Sequence, residues 1–243
     1  MKLKKNTFLK GIADGIPICL GYLSVSFAFG IFSIESGLSL WEALLISMTN
    51  VTSAGQLAAV PIITGAGTFA ELAATQLIIN LRYALMSVSL SQKLHSNIRL
   101  IDRMAIAFVN TDEVFAVASS KTEDVKRNYM YGLIITPYFG WAFGTLLGAI
   151  AGNILPSVVT ASLGVAIYAM LIAIVVPEAR KRASTAMCVC LAVFISCLFR
   201  FVPMLKNIPQ GFVIIICAVT ASVIFALLFP VSQPESEDVE YDS

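Results

Sequence analysis

Charge is scarce in this sequence. Lys, Arg, Asp and Glu make up 13% of its 243 residues, against about 25% in a typical soluble domain. Histidine occurs once, at His95 in a polar connection, and reads as a solvated loop residue. The five cysteines, Cys19, Cys188, Cys190, Cys197 and Cys217, lie in apolar runs without CxxC spacing and read as reduced, buried packing residues. No Cys/His set has metal-ligand spacing, so no metal is expected. Gly65-Ala66-Gly67 is not followed by Lys-Ser or Lys-Thr, which excludes a Walker A phosphate loop. GxSxG and HExxH are absent too. The chain therefore reads as a non-enzyme without a cofactor, and no nucleic-acid partner is expected; the formal charge of +1 by itself says nothing about partners.

What is present is apolar sequence. Hydrophobic residues make up 58% and the mean hydropathy is +0.84. Runs long enough to cross about 30 Å of hydrocarbon recur from end to end. The fold class expected is all-α: a polytopic helical membrane protein embedded in a lipid bilayer, with about eight (seven to eight) transmembrane segments and one or two discontinuous helices. The spans are placed at 12–34, 41–64, 68–92, 104–119, 129–153, 161–176, 185–201 and 212–229. Together they form one domain, 1–232, followed by a disordered acidic cytoplasmic tail at 233–243.

The third span is the one around which the rest is organised. It carries Glu71, Gln76, Asn80, Arg82 and Tyr83. An arginine at the centre of a membrane helix costs roughly 2.5 to 3.5 kcal/mol on insertion scales. Gln76, Asn80, Tyr83 and Ser87 share one helical face, and Glu71, Thr75, Arg82 and Ser89 a second. A helix polar on two sides belongs inside a bundle, beside a polar path. The plainer alternative is that Arg82 only clamps two helices together.

Two other stretches are polar at membrane depth. The run Thr49-Asn50-Val51-Thr52-Ser53-Ala54-Gly55-Gln56 points polar atoms in every direction if it is one helix, so a break is expected near Gly55. The alternative is an intact helix whose hydroxyls bond back to their own carbonyls. The fourth run holds Asn110-Thr111-Asp112-Glu113, and two adjacent mid-membrane acids need a partner. Arg82 is the strong cation at similar depth, so it is expected to pair with Asp112 or Glu113. Alternatively this run is re-entrant and its acids reach water.

The first span is punctuated by Gly15, Pro17, Gly21 and Gly30. Pro17 is expected to kink or break it, and Asp14 either caps its start or serves function. This span reads as an uncleaved first helix. Gly140, Gly144, Gly148 and Gly152 recur every four residues in the fifth span and mark a close-packing face, toward this chain or another subunit. Lysines at the start and Arg180-Lys181-Arg182 argue that both termini are cytoplasmic. An eight-crossing count then leaves Lys93, Arg99 and Arg103 outside, against the positive-inside rule, and seven crossings with one re-entrant segment remain open.

The second and third spans resemble the AzlC family, the large subunit of branched-chain amino acid exporters. The resemblance is carried by Ser53-Ala54-Gly55-Gln56-Leu57-Ala58-Ala59 and by Thr75-Gln76-Leu77-Ile78-Ile79-Asn80-Leu81-Arg82-Tyr83-Ala84-Leu85-Met86. Thr111-Asp112-Glu113-Val114-Phe115-Ala116 looks like a later family segment, and Gly11, Pro17, Gly30 and Gly37-Leu38-Ser39 match in order. The resemblance implies a cell-membrane secondary transporter for leucine, isoleucine, valine or similar amino acids, working with a small hydrophobic AzlD-type subunit. The site expected on this reading is Gln56, Asn80, Arg82, Asn110 and Asp112 for substrate, with Asp112 or Glu113 taking the coupling proton. The alternative is a permease component for uptake, energised by a separate ATPase.

Overall fold

The computed structural model describes residues 7–156, 159, 172, 175–177, 179–205 and 208–229. The expected sixth span, 161–176, lies almost wholly outside the described residues, as does the acidic tail. The elements named are helices: α1 (Phe8–Glu35), α2 (Leu40–Thr49), α3 (Ser53–Thr64), α4 (Phe69–Lys93), α5 (Leu100–Phe108), α6 (Asp112–Ser119), α7 (Arg127–Ile154), α8 (Ala183–Phe201) and α9 (Gln210–Leu228). Helices α1, α7, α8 and α9 are long and apolar enough to cross a membrane. The more polar α4 has 25 residues, about 37 Å of helix, and so has the length as well.

Helices α1 and α7 form the scaffold and run parallel. Gly132 of α7 lies against Phe8, Gly140 against Cys19, Gly144 against Leu23 and Ser26, Gly148 against Phe27, and Gly152 against Ile31 and Ile34. The partner of the glycine ladder is therefore this chain's own first helix. From the other side, Gly11 and Gly30 of α1 meet the backbone at Tyr129 and Thr145. Small residues on both helices let the two backbones touch.

Pro17 does not break α1, which runs unbroken for 28 residues. One lost hydrogen bond is a small defect in a helix packed along most of its length. Asp14 is not the cap either, because Thr7 is. Asp14 instead binds Lys10 Nζ at 2.6 Å, Lys121 Nζ at 2.8 Å and the Tyr129 hydroxyl at 2.7 Å. It ties the entrance of α1 to the chain around the start of α7.

The second and fourth expected spans do not cross; each is a re-entrant helical hairpin. The arms α5 and α6 have 9 and 8 residues, each about 13 Å long and short of a bilayer. Both ends of this hairpin lie on one face. His95 donates its backbone N–H to Val125 O at 3.1 Å, and Val125 donates to Lys93 O at 3.0 Å. Asp102, in the first turn of α5, meets Arg127 at the start of α7. Lys93, Arg99 and Arg103 thus come to the same face as Lys10, Lys121 and Arg127.

The other hairpin, α2 and α3, enters from the opposite face. Leu38, just before α2, packs with Val60 of α3 and Phe29 near the end of α1. Ser47 Oγ lies 2.7 Å from Thr145 Oγ1, and the Tyr138 hydroxyl donates to Met48 O at 3.1 Å. The Tyr138 ring is also 6.4 Å from that of Phe108, at the end of α5. Both hairpin tips therefore reach the level of Tyr138, near the middle of α7. Helices α1, α4 and α7 run from one face of the bundle to the other, and two opposed hairpins meet between them.

Helix α9 packs beside α4, where the Gly211 N–H donates to Glu71 Oε1 at 2.7 Å. All five cysteines are free, yet only Cys217 is buried, and Cys190 and Cys197 are exposed on α8. The cysteine-rich span faces outward because α8 touches little besides α9 among the described residues.

Candidate functional site

Both hairpins turn on a short extended segment. In the first, Asn50 and Thr52 leave the helical region, with φ −131° and −146°. The break lies just ahead of Gly55, which sits in the first turn of α3. A side chain at Gly55 would collide with Gln76 Oε1 at 2.6 Å, so its glycine serves close approach to α4 rather than the break. In the second hairpin the break falls at 109–111, and Thr111 begins α6.

Amides hold the tips in place. Gln76 on α4 accepts at Oε1 from Asn50 (3.0 Å) and Asn80 (3.1 Å), and its Nε2 donates to Gly55 O (2.8 Å). Gln56 turns back into its own hairpin and donates to Asn50 O at 2.6 Å. Asn110 donates to Ser87 Oγ of α4 at 3.1 Å. Of the residues expected to bind substrate, Gln56, Asn80 and Asn110 donate their amide N–H groups to these ties, while Gln56 Oε1, Asn80 Oδ1 and Asn110 Oδ1 are buried without a partner among the described residues. None of the three lines the cavity described next.

Between the tips lies a cavity of about 660 Å³. Its walls are Pro17, Ile18, Gly21, Tyr22 and Val25 of α1, Val51 to Ser53 of the first tip, Thr111 to Glu113 of the second, Arg82 and Tyr83 of α4, and Trp141 of α7. Arg82 Nη2 sits 2.8 Å from Asp112 Oδ2, with both side chains about half exposed. Arg82 also donates to the Tyr83 hydroxyl at 2.9 Å, and its guanidinium lies 4.7 Å from that ring's centre. Glu113 accepts a hydrogen bond from the Tyr22 hydroxyl. Tyr22 stands edge-on to Trp141, with ring centres 5.0 Å apart. One cation and two acids thus share one water-accessible cavity, which is where a half-exposed charge can be tolerated in a membrane.

Tyr22, Trp141, Thr52 and Thr111 carry no signal in the sequence that singles them out for the site. The first two are ordinary aromatics in apolar helices. The threonines matter because each stands just ahead of the first residue of a helix, on the cavity wall.

The span from Pro17 on the cavity wall to the end of α7 holds both hairpins, α4 and every residue lining the cavity. A profile described as "AzlC protein" matches residues 17–155, this same span. Over 151 residues the chain is 30% identical to "Inner membrane protein YgaZ" of Escherichia coli (strain K12), covering 60% of this chain and 62% of that one. Over 181 residues it is 32% identical to an "Uncharacterized membrane protein" of Archaeoglobus fulgidus, covering 74% and 79%. A Helicobacter pylori "Uncharacterized membrane protein" is 25% identical over 153 residues, 60% of this chain and 66% of its own length. No solved structure matches the chain. The profile match, together with the coverage of the Archaeoglobus relative, makes this chain a member of the AzlC family.

Proposed function

We propose that this membrane protein is a secondary transporter subunit that exports branched-chain or similar apolar amino acids, driven by protons, through the cavity between the two hairpin tips. The observation that carries the reading is the Arg82–Asp112 pair at 2.8 Å, half exposed in that cavity. A zwitterion needs a cation or helix start for its carboxylate and an acid for its ammonium, and here both are present within one space. Ile18, Val25 and Val51 offer an apolar wall for the side chain. Hairpins entering from opposite faces suit alternating access, because each can open one side of a shared site while the other stays shut.

In this reading a small AzlD-type subunit works with the chain in the cell membrane. The N-terminal face is cytoplasmic, as is the carboxyl terminus. In support, Lys10, Lys93, Arg99, Arg103, Lys121 and Arg127 gather at that face once the second hairpin is recognised as re-entrant. The test is efflux of labelled leucine from vesicles holding the chain and its small subunit. Arg82→Ala and Asp112→Asn are each expected to abolish flux that wild type supports. Unchanged flux in both overturns the assignment.

A further inference from the structure

Resting on that reading, we infer that the substrate lies across the gap with a fixed polarity. Its carboxylate is held at the first tip by the Thr52 hydroxyl, the α3 N-terminus and the Trp141 indole N–H. Its ammonium is held at the second tip by Asp112 and the Thr111 hydroxyl.

Three residues of this cavity's wall, Thr52, Thr111 and Trp141, carry a buried polar group, and of these Thr52 Oγ1 and Trp141 Nε1 have no partner among the described residues. The three residues are only 5%, 5% and 4% exposed. Buried polar groups are nearly always bonded, so two orphans on residues of one cavity wall point to a polar ligand there. Thr111 sits beside the Tyr22 phenol, whose own proton goes to Glu113, and its hydroxyl is within hydrogen-bonding reach of the phenol oxygen, which leaves the Thr111 oxygen free to accept from an ammonium. Neither threonine caps its helix with its side chain. The hydroxyls are thus not spent on the first-turn amides, and those amides remain available.

The two helix starts differ in charge, and this sets the polarity. The first turn of α3 carries no acid, so its free amides and positive dipole end suit an anion. The first turn of α6 carries Asp112 and Glu113, two carboxylates against the one guanidinium of Arg82, a net negative charge that favours an ammonium. An indole N–H can only donate, which places Trp141 with the carboxylate, whereas a hydroxyl can accept as well, which suits Thr111 to the ammonium. A molecule with both groups spans the gap and draws the hairpins together. One with a single group engages a single hairpin.

The experiment measures binding of three probes to the full-length protein in nanodiscs: leucine, 4-methylpentanoate, which lacks the amine, and 3-methylbutan-1-amine, which lacks the carboxylate. Thr52→Val is expected to weaken leucine and 4-methylpentanoate about tenfold, the loss of one hydrogen bond to a charged group, and to leave the amine unchanged. Thr111→Val is expected to weaken leucine and the amine but spare the carboxylate. Thr52→Ser keeps the hydroxyl and restores wild-type binding. Equal losses for all three probes in Thr52→Val, or no loss, overturn the polarity. If wild type binds 4-methylpentanoate through Thr52 but does not bind leucine, the carboxylate subsite stands and amino acid transport falls. If wild type binds none of the three, both fall.

Discussion

Arg127, the first residue of α7, holds its Nε 3.1 Å from the carboxylate of Asp102, in the first turn of α5. Asp102 is buried and also accepts from the Tyr131 hydroxyl at 2.6 Å. These bonds bring the mouth of the second hairpin to the face where α7 starts. The pair sets the topology, because a helix that crossed would leave Asp102 and Arg127 a bilayer apart.

That relationship predicts labelling from one side. In a background with the native cysteines replaced, single cysteines at Ser96 and Thr122 are expected to react with a membrane-impermeant maleimide from the same side of sealed vesicles. A cysteine at Ala66 is expected to react only from the other side. Opposite labelling of Ser96 and Thr122 would restore the fourth run as a crossing. Asp102→Ala is expected to destabilise the protein by about 1–3 kcal/mol, chiefly through the buried Tyr131 bond, since the Arg127 side is half exposed and screened. Thermal unfolding in detergent reads this.

The α1–α7 contact predicts graded damage from single methyl groups. A Cβ at Gly148 falls on the Phe27 backbone carbonyl, which cannot swing aside, whereas one at Gly21 meets nothing within 4 Å. Gly148→Ala is therefore expected to cost about 1–3 kcal/mol, the usual range for overpacking. Gly21→Ala should leave the melting temperature where it was. Equal effects at the two positions would mean that the helices do not touch as described.

Gln76 joins both polar atoms to the first tip, through Asn50 and Gly55 O. Gln76→Leu keeps the bulk but removes the bonds to Gly55 O and to the Asn50 and Asn80 amides. A loss of about 1 kcal/mol follows from these part-buried hydrogen bonds. Leucine flux should fall with it, because Val51 to Ser53 form one wall of the cavity. Gln76→Glu, which keeps the acceptor for Asn50 and loses the donor to Gly55, is expected to fall between the two. A Gln76→Leu variant with wild-type stability and flux would show that this tip is held by other means.

How far these features are legible in the sequence depends on their range. The glycine ladder and the ends of α1 and α7 follow from local spacing and hydropathy, and lie within a few residues of expectation. Arg82 facing Asp112 follows from cost alone, since a mid-membrane cation needs an anion. The hairpins are different. A broken crossing and a re-entrant hairpin have the same polar centre and the same short apolar arms, so 41–64 and 104–119 read as spans. What separates them is the face each end reaches. That is fixed by bonds such as Val125 to Lys93 O and Arg127 to Asp102, which join residues far apart in the chain. The same limit applies to Gln56 and Asn110. Their residue types suit a substrate, but the breaks they sit in take up their N–H donors, and neither lines the cavity.

The charge balance of the cavity predicts which acid carries the coupling proton. Its lining holds Arg82, Asp112 and Glu113, with Tyr22 and Tyr83 as the phenols beside them. Asp112 is answered by Arg82, and a zwitterion adds no net charge. The remaining negative charge is that of Glu113, whose partner is the neutral Tyr22 hydroxyl. Glu113 is thus the acid that a substitution can neutralise without breaking an ion pair. Glu113→Gln mimics the protonated form. Its leucine flux should lose its dependence on pH and on the proton gradient while exchange of leucine across the membrane continues. Asp112→Asn breaks the pair instead, and should lose leucine binding at every pH. If Glu113→Gln keeps the pH profile of wild type, the coupling proton is carried elsewhere.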